Sequence, residues 1–278
     1  MERGARRGAR AAVALLVVAL CLLSAPLGAQ RAVLLELRPR VGDTLRVRVD
    51  QRVEMSGAPE GGDSARTVTT TMQLRTRCIV ESADAEGATV VASTDSVTIA
   101  STGERPAEIE RARRALQGRT VRLHLAPDGS AELVDDGRRP PAELYALFER
   151  MPATLPPRAI AVGETWTRRL DLPGPDGATG GSLTATFRLD SLSHGGGLAY
   201  VSMHGSLGRS PGARGGDSSA RVTMSGIVKG GMTIDRTRGW MTDARTTLTV
   251  TTVIAPPAGA AGPPMRVRLR MTQWLRTQ

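Results

Sequence analysis

The chain has little cysteine, few aromatic residues and almost no lysine. Cysteine occurs only at Cys21 and Cys78, and Cys21 lies in an N-terminal segment that we expect to be removed. A single remaining cysteine excludes an intramolecular disulfide, so the fold must be stabilised by packing and hydrogen bonds. Aromatic residues make up only 3% of the chain, too few for a surface that stacks nucleic-acid bases. Lys229 is the only lysine, so nearly all the positive charge is arginine.

The charge balance is basic. The formal net charge is +10, and +7 remains for residues 30–278, because the first 29 residues hold four arginines and one glutamate. Such a balance favours acidic partners, here an anionic component of the cell envelope or a lipid. The arginines are scattered along alternating segments and form no tract. This pattern favours solvated strand faces, and we expect no nucleic-acid binding.

Residues 1–29 have the order of a secretory signal peptide. Four arginines precede the apolar run Ala11–Leu23, and helix-breaking and small residues follow at positions 24–29. We expect cleavage after Ala29 and a periplasmic or extracellular protein with no transmembrane span after cleavage. An uncleaved anchor is the alternative, although the run is short against the roughly 20 residues that a span needs. Lipid attachment at Cys21 is disfavoured because Leu20, not a small residue, precedes it.

Apolar and polar residues alternate through most of the mature chain. In Leu45–Met55, every second residue is apolar or amide-bearing and the residues between them are charged. This period of two is typical of a half-buried antiparallel strand. Turn signals such as Asp128-Gly129 and Arg238-Gly239 separate similar segments. The further predicted strands are Ala32–Arg38, Thr67–Glu81, Ala88–Ile99, Arg119–Leu125, Ala131–Val134, Thr165–Leu172, Leu183–Leu192, Leu198–Leu207, Ala220–Ile234, Trp240–Ile254 and Met265–Leu275.

Two short helices complete the predicted elements. Ala107–Gln117 follows Pro106, and Pro141–Met151 carries an apolar stripe between two prolines. The fold class is therefore all-β and mainly antiparallel with two short helices, in a strongly curved sheet or half-open barrel. A β-sandwich is the alternative.

We expect residues 30–278 to form a single domain, with two related halves, 30–151 and 152–278, as an open alternative. The segment Val41-Gly42-Asp43-Thr44 recurs as Val162-Gly163-Glu164-Thr165, each time ahead of a predicted strand. The matches are short, and ordinary β-turns produce similar ones. In both motifs we expect the carboxylate to hydrogen-bond the turn backbone instead of performing acid–base chemistry.

These motifs carry a resemblance to known sequences. Leu35–Asp50, and Leu155-Pro156 through Trp166, look like segments of uncharacterised bacterial exported families with a repeated Val-Gly-Asp/Glu-Thr motif. The resemblance implies a β-protein of the cell envelope and no known activity. More loosely, strands followed by an apolar helix are similar in layout to periplasmic lipoprotein carriers, which are half-open barrels closed by helices.

Nothing in the sequence predicts catalysis, a cofactor or a metal. Gly208-Arg209-Ser210-Pro211-Gly212 matches the Gly-x-Ser-x-Gly nucleophile motif, but Pro211 cannot donate the backbone N–H that an oxyanion needs. His124, His194 and His204 are isolated in sequence. We therefore predict no enzyme and no catalytic, cofactor or metal residues.

The function that the sequence favours first is a non-enzymatic structural or interaction module of the envelope. The alternative is a periplasmic carrier or binder of a lipid or another apolar ligand in a half-open barrel. Trp166, Trp240 and Trp274 fall in separate strands, where core packing explains them without a ligand. The candidate ligand-facing residues for the alternative are Leu144, Tyr145, Leu147, Phe148, Met151, Trp166 and Trp240.

Overall fold

The fold is known from a computed structural model that describes residues 32–59, 66–134, 153–173, 179–209, 221–256 and 262–278. Eleven strands and one helix lie in these ranges. The helix α1 is Pro106–Leu116, between β3 and β4. The strands are β1 (Thr44–Pro59), β2 (Arg66–Ala83), β3 (Ala88–Ser101), β4 (Thr120–Leu125), β5 (Ala131–Leu133), β6 (Thr165–Pro173), β7 (Thr179–Leu192), β8 (Leu198–Arg209), β9 (Arg221–Asp235), β10 (Trp240–Ala255) and β11 (Met265–Thr277).

All eleven strands form one antiparallel sheet in the order β5-β4-β3-β2-β1-β11-β10-β9-β8-β7-β6. Strands that are consecutive in the chain are neighbours in the sheet, apart from β5 and β6, and an additional pairing of β1 with β11 joins the two halves of the chain. The strands β5 and β6, consecutive in sequence, lie at opposite edges and are not paired in the described structure. The sheet is therefore open. The predicted all-β antiparallel class is confirmed as a curved sheet, and the β-sandwich alternative is wrong because one sheet holds every described strand.

Two segments, residues 32–38 and 153–162, cross one end of the sheet; we call them the floor and that end the floor end. Val33 and Ile160 exchange backbone hydrogen bonds of 2.8 and 2.9 Å between the two segments. The predicted strand Ala32–Arg38 is therefore wrong beyond this single bridge. Its alternation reflects Leu35 and Leu37, which are buried in the core although the segment forms no strand there; the Leu37 N–H bonds to the β4–β5 turn.

The floor holds opposite parts of the sheet together, which shows that the sheet curls. The Leu37 N–H donates to Pro127 in the β4–β5 turn, and the Arg38 N–H donates to Gly239 in the β9–β10 turn. On the other segment, the Leu155 N–H donates to Asp128 O at 2.9 Å. The indole Nε1 of Trp166 on β6 donates to Thr154 O at 2.9 Å. The two edge regions of the sheet are thus bridged through residues 154 and 155.

The core lies at the floor end, on the face of the sheet that curls inward. One buried cluster combines floor residues such as Leu35 and Leu155 with Phe187 and Leu189 of β7 and Ile234 of β9. A second cluster lies on β1, β2 and β3 and includes the buried Leu45, Cys78 and Val90. Leu125 of β4 packs against both clusters. Burial of these side chains, about 1.5–3 kcal/mol for each large one, is what fixes the curl.

The two Val-Gly-acid-Thr motifs form the same turn at the floor end. Gly42 and Gly163 have φ values of +85° and +91°, a left-handed conformation that glycine adopts without steric cost. The Asp43 carboxylate accepts the Arg40 N–H at 2.9 Å, and the Glu164 carboxylate accepts the Ala161 N–H at 2.8 Å. Both carboxylates therefore form the predicted hydrogen bonds with the turn backbone. The Ala161 N–H is also the main cause of a lowered pKa at Glu164.

The helix α1 confirms the predicted segment Ala107–Gln117 within one residue at each end. Pro106 occupies its first turn, and the Glu108 carboxylate accepts the Arg105 N–H. The helix contacts β3 and has no buried residue; Ile109 and Leu116 are half-buried. The second predicted helix, Pro141–Met151, lies outside the described residues.

Candidate functional site

The inner face of the sheet continues beyond the core toward the other end of the strands, which we call the far end. Strand register places Val49 and Val53 of β1 on the same face as the buried Leu45, and opposite Leu275 and Met271 of β11. These side chains are only half-buried. Nearer the far end, Met55 and Met265 are 45% and 47% exposed. The sheet therefore presents an apolar inner surface that its own described residues do not bury.

Methionine is concentrated on this face. The register places all eight methionines of the described ranges on the inner face. Three pack against the core cluster, and the other five, beyond the core, are Met55, Met72, Met224, Met265 and Met271. Methionine has three rotatable bonds and a polarisable sulfur, so its side chain adapts to irregular apolar shapes. An inner face of this composition suits ligands without a fixed shape.

Glycines on the inner face let neighbouring strands approach closely. A Cβ at Gly205 would lie 2.4 Å from the Thr184 carbonyl oxygen, and one at Gly230 would lie 2.3 Å from that of Arg245. Contacts below 3.0 Å essentially never occur for real Cβ atoms. The curved backbone of β8 and β9 thus requires glycine at these inward positions.

A few polar groups interrupt the apolar inner face. Gln51 and Gln273 lie directly opposite each other on β1 and β11, and Gln51 Nε2 contacts the Met271 sulfur at 3.0 Å. On the edge strand β6, the register turns Arg168 inward, beside Ala185, and its guanidinium donates to Leu155 O. The Arg168 Nε is buried and has no hydrogen-bond partner in the described structure. These groups can orient the polar end of a bound amphipathic molecule.

The candidate ligand-facing tryptophans occupy different surroundings. Trp166 is 8% exposed and its ring stacks on Phe187, with ring centroids 5.4 Å apart and an interplanar angle of 12°. Trp240 is half-buried against the second core cluster. Both therefore lie near the floor and away from the more exposed part of the inner face. The remaining candidates, Leu144, Tyr145, Leu147, Phe148 and Met151, lie outside the described residues.

The residue types that usually carry catalysis are dispersed. Cys78 is buried, and burial raises the pKa of its thiol to about 11, which disfavours the nucleophilic thiolate. His124 and His204 lie on the outer face of β4 and β8. Within the described ranges, no group of three or more His, Cys, Asp or Glu residues could hold a metal ion. Ser210 of the Gly-x-Ser-x-Gly segment lies outside the described residues.

The outer face carries a charged cluster around Asp50. Its carboxylate accepts hydrogen bonds from Arg48 at 2.9 Å, Gln73 at 2.8 Å and Arg276 at 3.1 Å. These bonds, chiefly the one from Arg48, lower the pKa of Asp50 to about 2. The Arg276 guanidinium also lies 3.7 Å from the ring centroid of Trp274. Sequence reasoning missed this cluster because its members come from three strands whose adjacency is not written in the sequence.

Replacing Asp50 with asparagine is expected to lower the free energy of unfolding by about 1 kcal/mol at neutral pH, since charge-assisted hydrogen bonds are lost at a partly exposed site. The pKa of about 2 lies below the ordinary value of 3.8. The stabilisation is therefore full above that ordinary value and is lost as pH falls through the folded pKa. Urea unfolding of both proteins between neutral pH and about pH 2 should show their difference shrinking toward zero. A difference that is unchanged at acid pH would contradict this account.

Within the described ranges, no helix is long and apolar enough to cross a membrane.

No protein-family model and no curated protein matches the chain. Among solved structures, it is similar to lipovitellin, in a study of lipid–protein interactions, with 10% identity and a TM-score of 0.47 over 86% of this chain. The chain spans only 25% of that lipovitellin chain. It is also similar to DynF from the dynemicin pathway of Micromonospora chersina (8% identity, TM-score 0.21, 87% of this chain and 84% of that chain). An outer membrane channel from Pseudomonas putida F1 gives 12% identity and a TM-score of 0.20 over 90% of this chain and 98% of that chain. With TM-scores this low, the similarities do not establish a shared fold.

Proposed function

We propose that the mature protein is an exported, non-enzymatic binder of lipids or similar apolar molecules, which it holds against the inner face of its curled sheet. The observation that carries this proposal is the half-exposed, methionine-rich inner face beyond the core. The sequence alone favours a structural or interaction module first. The single open sheet supports the alternative instead, because a sandwich would have covered its inner face with a second sheet.

The energetics favour an apolar ligand at this face. Removing apolar surface from water contributes about 25 cal/mol per Å², and each buried methylene of an acyl chain contributes about 0.8 kcal/mol. Met55 of β1 lies opposite Leu269 of β11, and Met265 lies four residues farther toward the far end on the same inner face of β11. An acyl chain lying along these strands would cover both methionines, together with the half-buried Leu269 and Val267 of β11.

The ligand chemistry follows from what lines the face. Flexible methionines tolerate acyl chains of different length and unsaturation better than a rigid aromatic pocket would. The inward Arg168 and the Gln51–Gln273 pair provide polar contacts for a carboxylate or a headgroup. The proposal assigns no chemical step to the protein.

The test is the binding of a fluorescent long-chain fatty acid to purified mature protein. Replacing Met55 and Met265 with asparagine is expected to weaken binding by about tenfold to a hundredfold, because both side chains lose apolar contact with the ligand. The folded state should tolerate the change, since both side chains are nearly half exposed. Fluorescence titration gives the dissociation constants, and circular dichroism checks the fold.

The matched control changes exposed apolar residues on the opposite face. Ile227 and Tyr200 are 52% and 39% exposed and lie on the outer face of β9 and β8. Replacing both with asparagine should leave fatty-acid affinity within about twofold, because surface changes away from a site have little effect. The absence of saturable binding by the unaltered protein, or an equal loss in both double variants, would overturn the proposal.

A further inference from the structure

The outer face of four adjacent strands gathers an array of arginines. The strands β2, β1, β11 and β10 lie side by side at the middle of the sheet. The register places ten arginines on their outer face: two from β2, three from β1, four from β11 and one from β10. The carboxylates on the same face are Asp50, Glu54, Asp243 and Glu81, and Glu81 is paired with Arg122 of β4. This face therefore has a large excess of positive charge, although the arginines are scattered in the sequence.

Several of these arginines stand directly beside one another. Arg46 is opposite Arg77, and Arg48 lies between Arg75 and Arg276 in one row across three strands. Like charges directly opposite on a sheet are destabilising. Asp50 pairs with two of these five, Arg48 and Arg276. The repulsion that remains would be relieved by anions supplied from outside.

Five arginines on this face form no ion pair with any residue that the structure describes. They are all exposed to solvent, and they are Arg46, Arg75, Arg77, Arg268 and Arg270. Same-face positions lie about 7 Å apart along a strand and about 5 Å apart between strands. These five guanidinium groups come from the three adjacent strands β2, β1 and β11 and thus form a two-dimensional field, not a line.

From this geometry we infer that the outer face of β2, β1, β11 and β10 docks the protein on the surface of an anionic lipid membrane. A two-dimensional field of cations matches a layer of lipid phosphates, and each arginine near such a surface attracts it independently. A protein that binds a single-stranded polyanion such as a nucleic acid would instead have a groove that tracks the backbone and aromatic side chains that stack on the bases. The aromatic residue here, Trp274, has its ring covered by Arg276 and donates its indole N–H to Asp243 at 2.6 Å. The inference does not depend on the proposed inner-face ligand.

The test is co-sedimentation with vesicles of phosphatidylcholine containing phosphatidylglycerol, with pure phosphatidylcholine vesicles as the comparison. We expect binding to the anionic vesicles that weakens as salt is raised, and no binding to the neutral ones. In the face variant, four arginines become glutamine at positions that have no ion pair with the described residues: R75Q, R77Q, R268Q and R270Q. Binding should fall by about two to three powers of ten, because each cation contributes roughly a factor of five.

The matched control removes the same charge elsewhere. It changes four arginines that are exposed and lie off this face: R40Q, R111Q, R119Q and R238Q. The control should lose less than about tenfold, since these four arginines lie on loops and on α1, outside the outer face of β2, β1, β11 and β10. Lysine at the four face positions should retain binding, because the charge is kept.

Three results would overturn the inference: equal loss in the face and control variants, equal binding to neutral vesicles, or binding to a soluble polyanion such as heparin without binding to anionic vesicles. The Met55 and Met265 double variant separates this inference from the proposed function. It should bind anionic vesicles as the unaltered protein does, because both methionines lie on the inner face. Vesicle binding and fatty-acid binding can therefore fail independently.

Discussion

Replacing Leu155 with alanine is expected to lower the free energy of unfolding by about 3 to 4 kcal/mol. The side chain is 1% exposed and belongs to the core cluster shared by the floor and the strands β6–β9. Its removal loses the transfer free energy of the buried methyl groups and leaves a cavity between elements that are far apart in sequence. Urea unfolding followed by tryptophan fluorescence measures the change, because Trp166 is hydrogen-bonded to the neighbouring Thr154.

A leucine in the other floor segment provides the control. Leu34 is 44% exposed, so its replacement by alanine should cost less than about 1 kcal/mol. Should the two variants be equally stable, residues 153–162 would be a loosely held surface segment and the curl of the sheet would have another cause. A large loss confined to Leu155 would show that the floor is part of the cooperative fold.

Most strands could be predicted because their signals are local. Alternation identifies Thr67–Glu81 from its own residues, and the observed β2 extends it by only one or two residues at each end. Errors arise where alternation has another origin or where turn residues lie inside a strand. Ala32–Arg38 alternates because Leu35 and Leu37 enter the core, yet its backbone forms a single bridge, to Ile160, and two hydrogen bonds to turns. The strand β1 continues through Gly57 to Pro59, within a segment whose composition resembles a loop.

The two surfaces on which function is proposed could not be predicted, because both depend on strand order. The pairing of β1 with β11 joins residues more than two hundred positions apart, such as Asp50 and Arg276. Without knowledge of that pairing, the sequence indicates only that the arginines of β11 lie on one solvated strand face and those of β1 on another. Methionines are similarly sparse along the chain and meet only once the register places them on one face. Pairing over such distances is set by packing of the whole sheet, which no local pattern records.

The repeated turn motif is a local sequence signal that relates two strands far apart in the chain. The strands β1 and β6, which follow the two motifs, are separated by five strands in an antiparallel sheet, so they run in the same direction. Gly42 donates its N–H to Val80 on β2, and Gly163 donates its N–H to Leu189 on β7, so each motif fixes the next strand in the same way. A repeat of five strands followed by the extra strand β11 accounts for this arrangement. Two related halves remain a prediction, which these equivalent turns support.

Replacing Gly239 with alanine is expected to lower the free energy of unfolding by about 3 kcal/mol. Gly239 lies in the β9–β10 turn with φ of +64°, and a Cβ there would lie 2.3 Å from the backbone oxygen of Arg38. The left-handed backbone costs about 1 kcal/mol for alanine, and the overlap forces the floor segment to move at a further cost of about 1–3 kcal/mol. That movement breaks the hydrogen bond from the Arg38 N–H to Gly239 O, which is 2.8 Å long. Thermal and urea unfolding measure the loss.

The control for Gly239 is a glycine with the same backbone handedness and no neighbour. Gly42 has φ of +85°, and no atom lies within 4 Å of the position that a Cβ would occupy. Replacing Gly42 with alanine should therefore cost only about 1 kcal/mol, the conformational part alone. The difference between the two variants, about 2 kcal/mol, isolates the contact between the floor and the β9–β10 turn. Equal losses of unfolding free energy in the two variants would contradict that contact. The curl of the sheet would then be attributed to packing on the inner face alone.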